Sequence, residues 1–355
     1  MKRLIKFIFG LCLIASICLV GAYFYLINYR GKSEKVIISV SEGQTYSTIA
    51  SLLKEKGLIK SETAYKVYIK LNKPTNLEYG SYILNKDKNV KEIIKTLEKG
   101  SVNLNETKMV TFVEGKNMRY IIKKITSEFD ITEGEILNLL KDEEYLDKLI
   151  EKYWFITDDV KNKKLYYSLE GYLFPDTYEF YVNTSVEDIF RTMLNNMENK
   201  LSKYKEEVES SKYTIHQMIT LASIIELEAS SASDRKGVAG VFYNRLKDGW
   251  SLGSDVTTYY AERIDNWSRD LKRSELNNCN DYNTRSNCLK GKLPVGPICN
   301  PGLKSIEATI EPSSHNYYYF VADKNGKTYF NKTDSGHTST VSKLKREGLW
   351  IEYEN

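Results

Sequence analysis

The longest run of hydrophobic positions in this chain lies at its amino terminus. Phe7–Ile27 contains no charged residue and matches the roughly 20 residues that a helix needs to cross a membrane. Its flanks carry the basic residues Lys2, Arg3 and Lys6 on one side and the tyrosines Tyr23, Tyr25 and Tyr29 on the other. We therefore predict a single-pass transmembrane helix with a cytoplasmic amino terminus and the rest of the chain outside the membrane.

A cleaved signal peptide is the alternative for this segment. Val20-Gly21-Ala22 is an acceptable cleavage site, but the apolar run continues beyond it and is long for a signal core. We favour a retained anchor, with a first region at residues 1–35.

After the anchor, the polar and apolar positions switch between the periods of strands and helices. The pattern predicts a β-α-α-β-α unit. Its elements are a strand at 36–40, helices at 48–56 and 62–71, a strand at 79–84 and a helix at 90–98. We assign this small α/β unit to residues 36–105.

The start of that unit recurs later in the chain. Ser41-Glu42-Gly43, followed by Ile49, aligns with Val113-Glu114-Gly115, followed by Ile121. Each copy follows a β-branched strand and precedes a helix, which suggests a partial internal duplication.

The remaining residues, 106–355, mix helical and strand patterns. Charged helical patterns occupy 132–152, and 186–205 reads as one long exposed helix. Near the carboxyl end, strands at 317–321 and 328–330 flank Asn325-Gly326, which predicts a β-hairpin with a type I′ turn. Segregated strands and helices of this kind indicate an α+β fold.

One helix in this part carries the main candidate for chemistry. Thr214 and Gln217 form a capping-box pair that starts an almost unbroken apolar run, and Glu226 ends it. An ionised carboxylate beside so much hydrocarbon is costly to desolvate, so such a group tends to keep the proton that a general acid needs. The simpler interpretation is that Glu226 marks the point where a buried helix reaches solvent.

Composition excludes some classes of function. The 355 residues suggest about two domains, and 51 basic against 47 acidic residues leave a net charge of only +4, so nucleic acid is not an expected partner. His216, His315 and His337 are scattered without metal-ligand spacing, and we expect no metal or other cofactor. Cys279, Cys288 and Cys299 lie in the exported part, and a Cys279–Cys288 disulfide is one option that the sequence does not select.

Three further segments are rich in the short hydrogen-bonding side chains that bind hydroxyl and amide groups. They are Leu169–Tyr178, with Glu170 and Gly171; Val241–Thr257, with Asn-Arg-Leu and Ser-Asp-Val-Thr; and Tyr282–Gly302, with Tyr-Asn-Thr and Gly-Pro-Ile-Cys-Asn-Pro-Gly. Taken singly, each is better explained as a turn than as a binding loop.

Together with Leu-Ala-Ser-Ile-Ile-Glu at 221–226, these motifs in this order resemble the endolytic murein transglycosylases over essentially the whole chain. The resemblance implies a membrane-anchored protein with a LysM-like domain at 36–105 and a mixed α+β catalytic domain at 106–355. It also implies cleavage of peptidoglycan strands between N-acetylmuramic acid and N-acetylglucosamine, with a 1,6-anhydro product and a limit on nascent strand length.

By position, Glu226 matches the catalytic glutamate of that family, which acts first as acid and then as base. Glu170 matches a glutamate that we expect to line the cleft, with a structural carboxylate as the equal alternative. The other candidate substrate-binding residues are Ser254, Asp255, Thr257, Tyr282, Asn283 and Asn300. Gly253, Val256 and Val295 depart from residues usual in the family, which weakens the expected contacts of that loop.

Two other functions remain open from the sequence. A non-catalytic, membrane-anchored scaffold could bind glycan and cell-wall synthases, and a hydrolase could use water and leave a reducing end. An acid at the end of an apolar helix favours an enzyme over the scaffold.

Overall fold

The computed structural model describes residues 2–103, 106–229, 231, 233–267 and 269–350. The chain divides into two compact units, one formed by Met1–Lys108 with Tyr181–Asn183 and the other by Met109–Phe180 with Thr184–Asn355. Each unit has its own hydrophobic core.

The first unit contains the predicted β-α-α-β-α pattern after the amino-terminal helix. Its strands pair antiparallel, with Ile38 opposite Tyr82, and both of these side chains are buried. Its elements are α1 Lys2–Ile27, β1 Lys35–Val40, α2 Ala50–Glu55, α3 Glu62–Asn72, β2 Gly80–Asn85 and α4 Val90–Leu97. Within the described residues, α1 is the one helix whose length and composition suit a membrane span, at Lys6–Ile27.

The next part of the chain surrounds the main core of the second unit. Its elements are β3 Thr107–Thr111, α5 Met118–Glu128, α6 Glu133–Leu139, α7 Glu143–Lys152, β4 Thr177–Tyr181, α8 Val186–Leu201, α9 Lys205–Glu209 and α10 Ile215–Glu228. Strands β3 and β4 form a two-stranded sheet, and a 3₁₀ turn covers Asp158–Lys161.

The prediction of one long exposed helix at 186–205 is wrong in two respects. Helix α8 ends at Leu201, and a 3₁₀ turn at Ser202–Tyr204 separates it from α9. Its apolar side chains recur with helical spacing and are buried in the core, at Ile189, Phe190, Met193, Leu194, Met197 and Leu201. The many charged residues between them conceal this apolar face in the sequence.

Helix α10 is buried almost all round. The predicted capping box is confirmed, since Thr214 accepts from the Gln217 amide and Gln217 accepts from the Thr214 amide. The helix packs against three later helices of the same unit, Arg235–Lys247, Asp255–Ala261 and Leu303–Ile310. These and the remaining elements are α11 Arg235–Lys247, α12 Asp255–Ala261, α13 Arg273–Leu276, α14 Leu303–Ile310, β5 Tyr319–Ala322, β6 Thr328–Asn331 and α15 Asp334–Arg346.

The hairpin of β5 and β6 is confirmed, but its predicted type I′ turn is wrong. Such a turn needs positive φ at both central residues, whereas Gly326 has φ +81° and Asn325 does not have positive φ. Instead the Asp323 carboxylate accepts hydrogen bonds from the amides of Asn325 and Lys327, which holds a longer loop. Among the three cysteines that follow α1, Cys279 and Cys288 form a disulfide, and Cys299 is buried and free.

Candidate active site

Glu226 lies in the last turn of α10, where the buried helix meets a small polar cluster. Its side chain is 7% exposed. Three groups donate to the carboxylate: Arg235 Nη2 to Oε1 at 3.0 Å, the Gly302 amide to Oε2 at 3.0 Å, and Ser305 Oγ to Oε2 at 2.7 Å. The packing of the helix and these three contacts fix the position of the carboxylate.

The three donors come from the amino-terminal ends of two neighbouring helices. Gly302 is the residue before α14 and Ser305 lies in its first turn, while Arg235 is the first residue of α11. Free amides and the positive end of the helix dipole favour a negative charge at such a position. The Glu226 side chain therefore lies where α10 meets the amino-terminal ends of α11 and α14.

A second carboxylate, that of Glu114, lies beside this cluster. It belongs to the turn between β3 and α5, and it contacts Gly302: a Cβ atom added to Gly302 would lie 2.2 Å from Glu114 Cδ. Burial, and next the negative charge of Glu226, raise the pKa of Glu114, while Arg235 opposes the shift. Glu114 and Glu226 thus approach the same glycine residue.

Glu170 lies in the interior of the protein, 1% exposed. Its carboxylate accepts from the Met118 amide at 2.9 Å, Tyr260 Oη at 3.0 Å and Asn300 Nδ2 at 3.1 Å. Burial raises its pKa to about 7, against the lowering effect of these donors. Its contacts are those of a carboxylate that joins α5, α12 and the loop before α14.

Asn300 is also buried, and it joins the same segments. Its Oδ1 accepts from the amides of Gly171 and Leu173, both at 3.0 Å, and its Nδ2 donates to the Lys116 carbonyl at 3.1 Å. All the polar atoms of this side chain are therefore used inside the protein.

Four other sequence candidates are buried and bound to neighbouring protein groups. Ser254 Oγ donates to Glu228 Oε1 at 2.5 Å, Thr257 Oγ1 donates to the Ser254 carbonyl, Tyr282 Oη accepts from the Tyr166 amide, and Asn283 donates to three carbonyls. Their exposures are between 0% and 2%. In this arrangement they shape the loops rather than face solvent.

Asp255 is the exposed member of the set, and it lies on a groove of about 940 Å³. It accepts from Arg285 Nε at 2.6 Å. The wall also contains Glu228, whose pKa is raised by burial, and Arg245, whose guanidinium binds the carbonyls of Tyr318 and Leu252. Glu228 accepts from Ser254, so it points away from the donors of Glu226.

Sequence reasoning missed four residues of the Glu226 cluster: Glu114, Arg235, Gly302 and Ser305. The repeated Glu-Gly motif did mark Glu114, but as evidence of duplication rather than of chemistry. Arg235 and Ser305 lie 9 and 79 positions from Glu226, outside any local motif. In the described part of the chain, no three His, Cys, Asp or Glu side chains form a group that could hold a metal ion.

Comparisons with known proteins extend the resemblance. A family model described as the YceG-like family matches residues 38–343. The endolytic murein transglycosylase of Bacillus subtilis (strain 168) is 35% identical over 330 residues, which cover 91% of this chain and 90% of that protein.

The endolytic murein transglycosylase of Streptococcus pneumoniae serotype 2 (strain D39) is 30% identical over 321 residues. The match covers 86% of this chain and 58% of that protein. The crystal structure of a YceG-like protein from Listeria monocytogenes has a TM-score of 0.61 at 33% identity, over 87% of this chain and 100% of the other.

Proposed function

Because this chain belongs to the YceG-like family, we propose that it is an endolytic murein transglycosylase that cleaves peptidoglycan strands between N-acetylmuramic acid and N-acetylglucosamine. The observation that carries the proposal for the site is Glu226, a carboxylate at the end of a buried helix with Arg235, Gly302 and Ser305 as donors. A fixed carboxylate suits proton transfer at one position of a bound sugar.

In the proposed reaction, Glu226 first donates a proton and then accepts a different one. As the acid it protonates the glycosidic oxygen, and the bond from that oxygen to the muramyl C1 breaks, with the electron pair going to the leaving sugar. The muramyl O6 then attacks C1, and its proton passes to the Glu226 carboxylate. The product is a 1,6-anhydro end, and the enzyme returns to its starting state without consuming water.

We propose that the other parts of the chain bring this site to nascent glycan strands. α1 anchors the protein in the cell membrane with its amino terminus in the cytoplasm, residues 36–105 form the LysM-like domain, and residues 106–355 form the catalytic domain. The Cys279–Cys288 disulfide supports an extracytoplasmic location, where disulfides persist. Cell-wall synthases are the expected partners, because strand length depends on cleavage during synthesis.

The test is a digestion of nascent, uncrosslinked glycan strands by the full chain in detergent, with mass spectrometry of the products. We expect anhydro-muramyl ends and internal cuts from the wild type, and a loss of at least about 10³-fold for Glu226→Gln, because the amide cannot transfer the proton. Glu133→Gln, at an exposed glutamate of α6, is the matched control and should leave the rate unchanged.

Each alternative outcome points to a different function. Reducing ends would identify a hydrolase that uses water. Bound but uncleaved strands, with wild type and Glu226→Gln alike, would favour the anchored scaffold.

A further inference from the structure

The turn between β3 and α5 places an exposed glutamate against the candidate active site. Gly115 in this turn has φ +74°, a left-handed conformation that glycine adopts without strain. Its amide donates to the Asn300 carbonyl at 2.9 Å, and the Asn300 amide donates to the Lys116 carbonyl at 3.0 Å. This short antiparallel bridge holds Glu114 over the loop that leads into α14.

Gly302 is the residue that brings the two carboxylates together. Its amide is bound to Glu226 Oε2 at 3.0 Å, and a Cβ atom on it would collide with Glu114 Cδ and Oε1, both at 2.2 Å. Two carboxylates that touch one glycine lie within the span of a single sugar residue. A saccharide that reaches Glu226 therefore also meets Glu114.

Glu114 differs from Glu226 in what surrounds its carboxylate. Glu226 has three donors and little exposure, whereas Glu114 is exposed and has no hydrogen-bond or ion-pair partner among the residues that the structure describes. The charged groups that act on Glu114 are Glu226 on α10, Arg235 on α11 and Asp176 before β4. Because the Glu114 carboxylate has no such partner, it is available to interact with a positive charge that develops on the substrate during the reaction.

We propose that Glu114 is a second catalytic residue, which contacts the muramyl residue being cleaved and stabilises the positive charge that develops around its C1. This inference rests on the proposed function. The charge is positive whether it lies on the ring oxygen or spreads to the acetamido group, so a nearby carboxylate stabilises the transition state in either case. Glu114 forms no bond and moves no proton, and the proton balance at Glu226 is unchanged.

The test compares Glu114→Gln, Glu114→Asp and wild type, as full chains in detergent with nascent glycan strands as the substrate. Since the stabilisation exists only in the transition state, Glu114→Gln should lower kcat by about 10²–10³-fold, with KM changed less than about threefold. Glu114→Asp keeps the charge and should recover about tenfold of that loss. Glu42→Gln, at the equivalent exposed position of the first unit, is the matched control.

The pH dependence separates charge stabilisation from a structural role. Partial burial of its carboxylate, and next the negative charge of Glu226, raise the pKa of Glu114, so its negative charge is lost at a higher pH than for an ordinary glutamate. The wild-type kcat should therefore fall on the acidic side, and Glu114→Gln should lack this acidic limb. A purely structural role would lower thermal stability and leave the limb in place.

The outcomes are distinct. An unchanged kcat for Glu114→Gln, or a lower kcat with the wild-type acidic limb, overturns the role of Glu114 while anhydro ends from the wild type still support the proposed function. Reducing ends from the wild type overturn the proposed transglycosylase function. The kcat of Glu114→Gln then still tests the role of Glu114, because the same positive charge develops in hydrolysis. No cleavage by the wild type overturns both.

Discussion

The two Glu-Gly turns of this chain start from the same motif and are closed in different ways. In the first unit, the Gln44 amide donates to the Ser41 carbonyl at 3.1 Å, and the Ser41 amide donates to Gln44 Oε1 at 2.7 Å. Every partner lies within four residues. Gly43 has φ +81°, and a Cβ atom there would meet nothing within 4 Å.

The second turn is closed by residues that are distant in the sequence. Asn300 bonds to Gly115 and Lys116, and Glu170 accepts from the Met118 amide at the start of α5. A Cβ atom on Gly115 would lie 3.3 Å from Leu227 Cδ2 and 3.5 Å from Glu226 Cγ. The same local conformation is thus a free-standing turn in one unit and part of the candidate active site in the other.

The comparison shows how a repeated Glu-Gly pair can gain a role through the residues that surround it. Glu42 and Glu114 occupy the same place in their turns, and both are exposed. Only Glu114 lies beside a buried carboxylate with its own donors. Three experiments test this difference.

The first and strongest effect concerns Glu170, whose carboxylate accepts a hydrogen bond from the Met118 amide, where the second turn leads into α5. Burial raises its pKa to about 7, so between pH 4.5 and 7 the folded protein keeps a proton that the unfolded chain has released. Its stabilising effect is complete at acidic pH and is lost as the pH rises through about 7. We expect this group to lower the free energy of unfolding by about 3 kcal/mol over that interval.

Tryptophan fluorescence during urea unfolding measures this effect in the correct unit. Trp154, Trp250, Trp267 and Trp350 all belong to the second unit. A glutamine at position 170 does not titrate, so Glu170→Gln should lack the predicted slope of the free energy of unfolding against pH. Glu42→Gln should keep the wild-type slope. If Glu170→Gln retained the full slope, other groups would be responsible for it.

The next effect concerns Gly302, which contacts both Glu114 and Glu226. Gly302 has φ −75°, so alanine fits its backbone, but the Cβ atom would displace the Glu114 side chain. We expect Gly302→Ala to lower kcat by about 10²-fold, as Glu114→Gln does, with little change in stability. The double variant should be no slower than Glu114→Gln alone, because both changes remove the same interaction.

The kcat values of wild type, Gly302→Ala, Glu114→Gln and the double variant form a double-mutant cycle. Additive losses would mean that Gly302→Ala acts on Glu226 through its amide rather than on Glu114.

The smallest effect compares Gly43→Ala with Gly115→Ala. Both glycines are left-handed, and alanine there costs about 1–2 kcal/mol. Hydrogen exchange followed by mass spectrometry should show a loss of that size in the unit that carries each variant. Only Gly115→Ala should also slow cleavage, by up to about tenfold, since its Cβ atom lies tightly against Leu227, the residue next to Glu226. Equal rates for the two variants would remove the distinction between the turns.

Much of the fold could be predicted because local patterns determine it. The capping box of α10, the strands and helices of the first unit and the hairpin near the carboxyl end all appeared where their periodicity and end signals placed them. Local rules failed where a distant residue took over: Asp323 reshaped the hairpin loop, and the packed core buried a face of α8. The resemblance likewise made Glu226 a candidate but gave no role to the groups around it.

The amino-acid sequence alone shows that a long apolar run of a helix ends at Glu226, that an apolar segment suited to a membrane span comes first, and that a Glu-Gly turn occurs twice. Which turn meets Glu226, and which polar residues face inward, depends on the tertiary fold. Hydrogen bonds such as Met118 to Glu170 and Asn300 to Lys116 join positions 52 and 184 residues apart. Buried polar groups must find partners wherever the fold brings them, and no local pattern specifies that choice.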